Sequence, residues 1–197
     1  GISGHLTPPY DGPYGAYDSL ATVTLSASAT SITFAGIPSG YKHLQMRGIL
    51  QSNYSPYGVD DAYITFNGDS SAAYSWHEIQ GNGASAYAAA GSSANNISWG
   101  LGSAVGTITG NGTDGGTYAA SITDILDYSN QNKFKTLRTI SGNDFNGVGY
   151  NAQAPGRITL NSGLWQNFSS AINSITVLCA GGRSFTQHSQ LALYGVK

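Results

Sequence analysis

The chain contains very little charge. Only 9% of its 197 residues are charged, with 8 Lys+Arg, 10 Asp+Glu and 4 His, whereas about a quarter of an ordinary soluble domain is charged. Enzymes and metal sites concentrate ionisable side chains where they act, and the net charge of −2 supplies no basic field for nucleic acid. We therefore expect a protein that is not an enzyme, with no catalytic residues, no cofactor, no metal site and no nucleic-acid partner.

Cysteine and long apolar runs are also scarce. The single cysteine, Cys179, excludes an intrachain disulfide and a zinc site built from several cysteines. Because it follows the largely apolar segment 175–178, we expect its side chain to be buried. No stretch approaches the roughly 18 apolar residues of a membrane span, so we expect no membrane insertion.

Short segments with alternating apolar and polar residues make up most of the chain after residue 16. Between His43 and Leu50, for example, apolar and polar residues alternate, which is typical of a half-buried strand. No segment has the period of an amphipathic helix. About ten or eleven such strands, separated by Gly, Asn, Ser and Pro, predict an all-β fold, an antiparallel, jelly-roll-like β-sandwich. Asn67-Gly68 predicts a hairpin turn.

Residues 1–16 differ from the rest. They contain three prolines and two tyrosines and show no apolar periodicity. Proline fixes φ and removes an amide donor, so we expect an extended Pro/Tyr-rich arm at 1–16, followed by a single β-sandwich domain at 17–197. If the arm lies against a neighbouring subunit, its tyrosines become anchors.

Three long connections are predicted, at 52–61, 81–95 and 142–156. Loops of this length in compact domains are usually functional or mobile. Exposed tyrosines flanked by Asn, Ser and Gly suit subunit contacts or sugar stacking, because a ring supplies contact area at low entropic cost. The arm and the loops together supply the candidate contact residues, which are Pro8, Pro9, Tyr10, Tyr14, Tyr54, Tyr57, Tyr87 and Tyr150.

The few ionisable groups have structural explanations. His77 and Glu78 are adjacent on a predicted strand and therefore point apart, and no second histidine lies at ligand spacing. Asp69 is expected to serve a turn. We interpret Asp60-Asp61 as a solvated loop end. We interpret the only basic cluster, which comprises Lys133, Lys135 and Arg138, as a solvated strand edge.

The order of several segments resembles a group of small β-rich virion structural proteins of tailed bacteriophages, described as tail, fibre or head-surface proteins. The resemblance covers most of 17–197 and leaves the arm out. It rests on YDSLATV from Tyr17, SITF from Ser31, IPS from Ile37, YKHLQ from Tyr41, FNGD from Phe66, YSWH from Tyr74, DILDY from Asp124, KFKT from Lys133, SGLW from Ser162, INSI from Ile172 and ALYGVK from Ala192.

The resemblance implies a place on the exterior of the phage particle, as a head decoration protein or a tail appendage knob made in the host cytoplasm. It carries no catalytic motif. The expected partners are other virion proteins and copies of the chain itself; trimers would suit both locations, and the sequence leaves the number open.

Two other functions stay open. A carbohydrate-binding module would use the loop tyrosines with Trp76, Trp99 or Trp165 as a platform for host-surface glycans. A depolymerase acting on host glycans would need two carboxylates roughly 5–9.5 Å apart.

Overall fold

The computed structural model describes residues 15–54, 59–98, 108–110, 117–143 and 156–197. Within these ranges the chain is almost entirely β, and Ala180–Gly182 form one short 3-10 turn. None of these residues lies in a helix long and apolar enough to cross a membrane. The strands are β1 Tyr17–Thr24, β2 Ser31–Ala35, β3 His43–Ser52, β4 Val59–Asp60, β5 Ala62–Phe66, β6 Tyr74–Gly81, β7 Ala86–Ala94, β8 Ile97–Ser98, β9 Ile108–Gly110, β10 Ala119–Leu126, β11 Lys135–Asn143, β12 Arg157–Trp165, β13 Ser174–Cys179 and β14 Gln190–Val196.

Two sheets of unequal size form the fold. The large sheet has the order β1-β14-β3-β10-β11-β12-β6-β7, and the small sheet has the order β2-β13-β5-β8. All of these neighbours are antiparallel; the short β9 pairs parallel with β3 and antiparallel with β4. The chain crosses repeatedly between the sheets, as from β1 to β2 to β3 and from β12 to β13 to β14. This architecture confirms the predicted all-β antiparallel sandwich; residues 1–14 of the arm predicted at 1–16 lie outside the described residues.

The connection predicted at 81–95 is wrong, because most of it is a strand. β7 pairs antiparallel with β6, so that Ala88 lies opposite Ile79 and Gly91 lies opposite Trp76. Ala, Gly and Ser have low strand propensity, and the sequence pattern therefore favoured a loop. The strand forms because β6 offers it a ladder of hydrogen bonds. Gly91 also allows close approach, since a Cβ there would lie 2.6 Å from the Trp76 ring.

The Asn67-Gly68 turn exists, but it does not make a hairpin. Both residues have positive φ, 53° and 67°, and the Asp69 amide donates to the Phe66 carbonyl at 2.9 Å, as a tight primed turn requires. The strands that it joins belong to different sheets, β5 to the small sheet and β6 to the large one. The turn is therefore a corner of the sandwich.

An aromatic cluster fills the core beside this corner. Trp165 on β12 lies 5.6 Å from Phe66 and 6.4 Å from Tyr74 between ring centroids, and all three side chains are buried. Asp69 holds the cluster in place, because its carboxylate accepts from Trp165 Nε1 at 2.7 Å and its carbonyl accepts from the Tyr74 hydroxyl at 2.9 Å. The expected turn role of Asp69 is confirmed and extends to the core.

The interpretation of the basic cluster as a solvated edge is wrong for one of its members. Lys133 and Arg138 are exposed and pair with Asp127 and Asp124. Lys135 is only 1% exposed, and its Nζ donates to the Asn167 carbonyl at 2.8 Å and lies 5.6 Å from the centre of the Trp165 ring. Burial lowers the pKa of Lys135. The period of two places residue 135 on the inner face, whatever its charge.

We expect Gly163→Ala to destabilise the protein by about 1–3 kcal/mol, because overpacking strains a filled core. A Cβ at this position would lie 2.8 Å from Ile97 and 3.0 Å from Leu137, and both of those side chains are buried. Gly81→Ala is the matched control, since its Cβ would meet no atom closer than 3.9 Å. Urea denaturation measures both variants; equal losses of stability would contradict the packing described here.

Candidate interaction surface

Six large aliphatic side chains form one group on the outer face of the large sheet, the face turned away from the small sheet. Each is between 44% and 61% exposed. They come from five neighbouring strands, in the order β3, β10, β11, β12 and β6. We call this set the aliphatic face: Ile49, Ile79, Ile122, Ile140, Ile158 and Leu160.

Strand register brings these residues into two adjacent rows. In the first row Ile140 lies opposite both Ile122 and Leu160, and Leu160 lies opposite Ile79. In the second row Ile49 and Ile158 are joined through the small residues Ala120 and Gly142. Side chains directly opposite one another on antiparallel strands are about 5 Å apart. The aliphatic face is therefore one continuous patch.

Polar residues border the patch at one end and along one side. Arg47 ends the first row at β3, where it lies opposite Ile122 and stacks 4.8 Å from the centre of the Tyr194 ring. The next row along the strands contains Asp124 and Arg138, whose charged groups are 3.0 Å apart. An apolar centre with a polar border is the usual anatomy of a protein interface.

The inner side of β10, β11 and β12 beneath the aliphatic face is polar and buried. Thr123, Thr139, Thr159 and Asn161 are each 1% exposed, and the hydroxyls of Thr123 and Thr139 are 2.9 Å apart. The usual arrangement of a half-buried sheet, apolar inside and polar outside, is thus reversed in this part of the molecule. Packing among the described residues does not explain the exposed aliphatic side chains.

The size of the aliphatic face suits the centre of an interface. Four strand spacings of about 4.8 Å and two rows about 7 Å apart, with side-chain widths added, give an area on the order of 300 Å². A stable protein interface buries about 800 Å² on each partner. Covering the face with a partner would remove from water about half of each side chain, worth roughly 1 kcal/mol apiece.

Two of the tyrosines predicted as contact residues are described. Tyr87 is 51% exposed and lies on β7, at the edge of the large sheet. Tyr54 is half-buried, with the Arg183 guanidinium 4.1 Å from the centre of its ring. The structure does not bring these two together with the aliphatic face. The remaining candidates lie outside the described residues: Pro8, Pro9, Tyr10, Tyr14, Tyr57 and Tyr150.

The expected solvated loop end at Asp60-Asp61 is wrong. The Asp60 side chain is only 1% exposed, and Arg183 Nε donates to its carboxylate at 2.7 Å. Asp60 also accepts from the backbone amide of Asp61 at 2.8 Å. Asp60 ends β4, and Asp61 lies between β4 and β5. Because the Asp60 carboxylate is buried, its charge must be compensated by arginine. Cys179 lies beside Asp60 and is buried as expected; burial raises the pKa of its thiol to about 12.

A second group of ionisable side chains surrounds Arg157 on the inner faces of β6 and β12. Arg157 donates to Gln80 at 2.9 Å and contacts Asp61 at 3.4 Å. Glu78 is 4% exposed; one of its oxygens accepts from Gln80 at 3.3 Å, and the other has no hydrogen-bond partner among the described residues. Burial raises the pKa of Glu78 to about 8 and that of Asp61 to about 6.

The Arg157 group contains two carboxylic acids of raised pKa, Glu78 and Asp61, as an acid–base pair in an enzyme would. The position of Glu78, however, is that of a core residue. Glu78 points between the sheets, whereas its neighbour His77 is on the exposed outer side, as the adjacency of the two residues predicted. Among the described residues no three or more His, Cys, Asp or Glu side chains are grouped so that they could hold a metal ion. The Arg157 group is a buried, hydrogen-bonded polar network under the aliphatic face.

The sequence does contain an indication of the aliphatic face, which is the odd spacing between apolar residues on the same strand. Ile122 and Ile125, like Leu137 and Ile140, are three residues apart on one strand. Odd spacing places two side chains on opposite faces, so one apolar residue of each pair must point outward. The alternation predicts strands at these positions, whereas the face that each residue occupies depends on how the two sheets pack.

Comparisons with models of protein families, with curated proteins and with solved structures find no match to this chain.

We expect the stability of the protein to fall as the pH rises from about 5 to about 8. The folded chain keeps Glu78 protonated up to its raised pKa of about 8, whereas the unfolded chain releases this proton near the ordinary value of 4.5. In that window the unfolded state binds fewer protons, so the free energy of unfolding decreases with pH. Asp61 adds a fall of the same sign below about pH 6.

Glu78→Gln should remove half or more of this decrease in stability, because the amide stays neutral at every pH. Thermal denaturation at several pH values measures it. Asp124→Asn is the control, since it removes a carboxylate from a surface pair with Arg138 and leaves the Arg157 group intact. A slope identical in the protein and in Glu78→Gln would contradict the buried, protonated state.

Proposed function

We propose that the chain is a non-enzymatic structural subunit on the exterior of a bacteriophage virion, as a head decoration protein or a tail appendage knob. The resemblance of its segments to virion proteins of tailed phages suggests the location. The observation that carries an assembly role is the aliphatic face, a continuous exposed apolar patch on a rigid sheet with a polar border. Contiguous apolar patches of this kind typically mark interaction sites.

In this proposal the aliphatic face contacts neighbouring virion proteins, and the N-terminal arm and the aromatic residues add further contacts. The arm and the tyrosines Tyr54, Tyr57, Tyr87 and Tyr150 remain the predicted auxiliary contacts. A particle presents many copies of each subunit, so several weak contacts per copy combine into firm attachment. The low charge of the chain favours this role, because it avoids repulsion between crowded copies.

A carbohydrate-binding module is the alternative, and the exposed ring of Tyr87 favours it. The tryptophans support it less. Trp165 is buried in the core, and the Trp76 ring packs over Gly91; Trp99 lies outside the described residues. Binding to a glycan array that is lost in Tyr87→Ala would support this alternative over a purely structural role.

Ile140→Glu tests the assembly role of the aliphatic face. Ile140 is at the centre of the first row and 50% exposed, so a charge there should change stability by only about 0.5 kcal/mol but prevent a partner from covering the face. We expect particles made from a genome with this substitution to carry at least tenfold fewer copies of the chain. Quantitative mass spectrometry of purified particles measures the copies.

Thr136→Glu is the matched control, because Thr136 is exposed on the same strand and lies two rows from the centre of the patch. It should be incorporated as the unaltered chain is. Absence of the unaltered chain from purified particles would overturn the virion proposal. If Ile140→Glu is incorporated as well as the unaltered chain, the aliphatic face has no role in attachment to the particle.

A further inference from the structure

Within the described part of the chain, one edge of the large sheet is a strand without the usual protection. β7 is the last strand of the sheet, and residues 86–91 pair in regular register with β6. Along its other side no strand of the described ranges is paired with it. Every second residue of an edge strand directs its N–H and C=O away from the sheet, toward a further strand.

The opposite edge of the same sheet, β1, is protected against pairing with another strand. β1 has a bulge between Ser19 and Ala21, and its Asp18 carboxylate lies 3.0 Å from the Lys197 amine. Bulges and charged side chains prevent edge-to-edge pairing. β7 has neither over residues 86–91, where the sequence AYAAAG contains no charge and no proline. Its one irregularity comes later, near Ser93, which has a φ of 52°.

We propose that β7 pairs antiparallel with β7 of a second copy, so that the two large sheets join into one. The inference rests on the proposed function insofar as assembly brings copies together, and it names the contact between them. When a strand pairs antiparallel with the same strand of a second copy, the two copies are related by a twofold axis. The dimer is then complete, because both copies use the same surface. The small side chains of Ala86, Ala88 and Ala90 allow this approach from either copy.

The aliphatic face gives a second reason for a copy of the same chain. Its first row runs from Ile122 to Ile79 and reaches the edge at Ala88. Joining two sheets at β7 makes the rows of both copies into one longer apolar surface. Tyr87 lies opposite Gln80, whose side chain points inward, so its exposed ring is on the inner side of the edge, where it would contact the second copy.

A charge-swap pair tests the contact. Ala88 and Ala90 are exposed on the outer side of β7, so lysine at both positions should leave the monomer folded. Like charges brought together across paired strands are destabilising. We expect Ala88→Lys/Ala90→Lys and Ala88→Glu/Ala90→Glu each to weaken self-association about tenfold or more, and a mixture of the two variants to restore it. Sedimentation velocity across a concentration series measures the self-association of the two variants, of their mixture and of the unaltered chain, which is the reference.

Ser26→Lys/Ser28→Lys is the control for added charge, because both serines are exposed between β1 and β2, away from β7. It should associate as the unaltered chain does. Hydrogen exchange provides the second measurement, in which the amides of residues 86–91 should become protected only as concentration rises. A chain that stays monomeric, a mixture that does not associate, or protection already complete in the monomer would each overturn the inference.

The particle assay separates this inference from the proposed function. If the chain is absent from particles but associates through β7, the virion role fails and the edge contact holds. If the chain is present in particles and the lysine variant is incorporated normally and associates normally, the edge contact fails and the virion role holds.

Discussion

The alternation of side chains along a strand is the constraint on which this structure depends. In the large sheet each residue faces either the interior or the outside, so filling one face determines what the other presents. Where β12 meets the small sheet it turns Trp165 and Gly163 inward. Farther back on the same strand Asn161, Thr159 and Arg157 point inward, and this forces Leu160 and Ile158 outward. The buried polar network and the aliphatic face are therefore two consequences of one register.

The extent to which the fold was predictable follows from local physical chemistry. β3 combines clear alternation with large apolar residues, and it occurs where expected. β7 was missed because Ala, Gly and Ser pack weakly on a sheet surface, and only the ladder with β6 makes this segment a strand. The Asn67-Gly68 dipeptide specified its own backbone turn. Which sheet the following strand joins depends on distant contacts that no dipeptide encodes.

The candidate site was less predictable for a related reason. Exposed tyrosines were expected from loop composition, yet Tyr87 belongs to a strand and Tyr54 packs under Arg183. Charge proved a poor guide to burial, since Lys135 and Asp60 are inside. Each finds compensation that lies far along the chain, in Trp165 and Arg183. Such partners are brought together only by the assembled sandwich, so composition and spacing could not reveal them.

A slip of one residue in the register of β12 would exchange its two faces and bury Ile158 and Leu160. Hydrophobicity at that end of the strand favours the slip. It is opposed at the other end, where Trp165 would leave the aromatic cluster and lose its hydrogen bond to Asp69. On β6 the same slip would expose Tyr74, whose hydroxyl is bonded at the corner turn. The large aromatic residues thus set the register, because each buries more apolar area than an isoleucine or a leucine, and the aliphatic face stays exposed in the part of the chain that the structure describes.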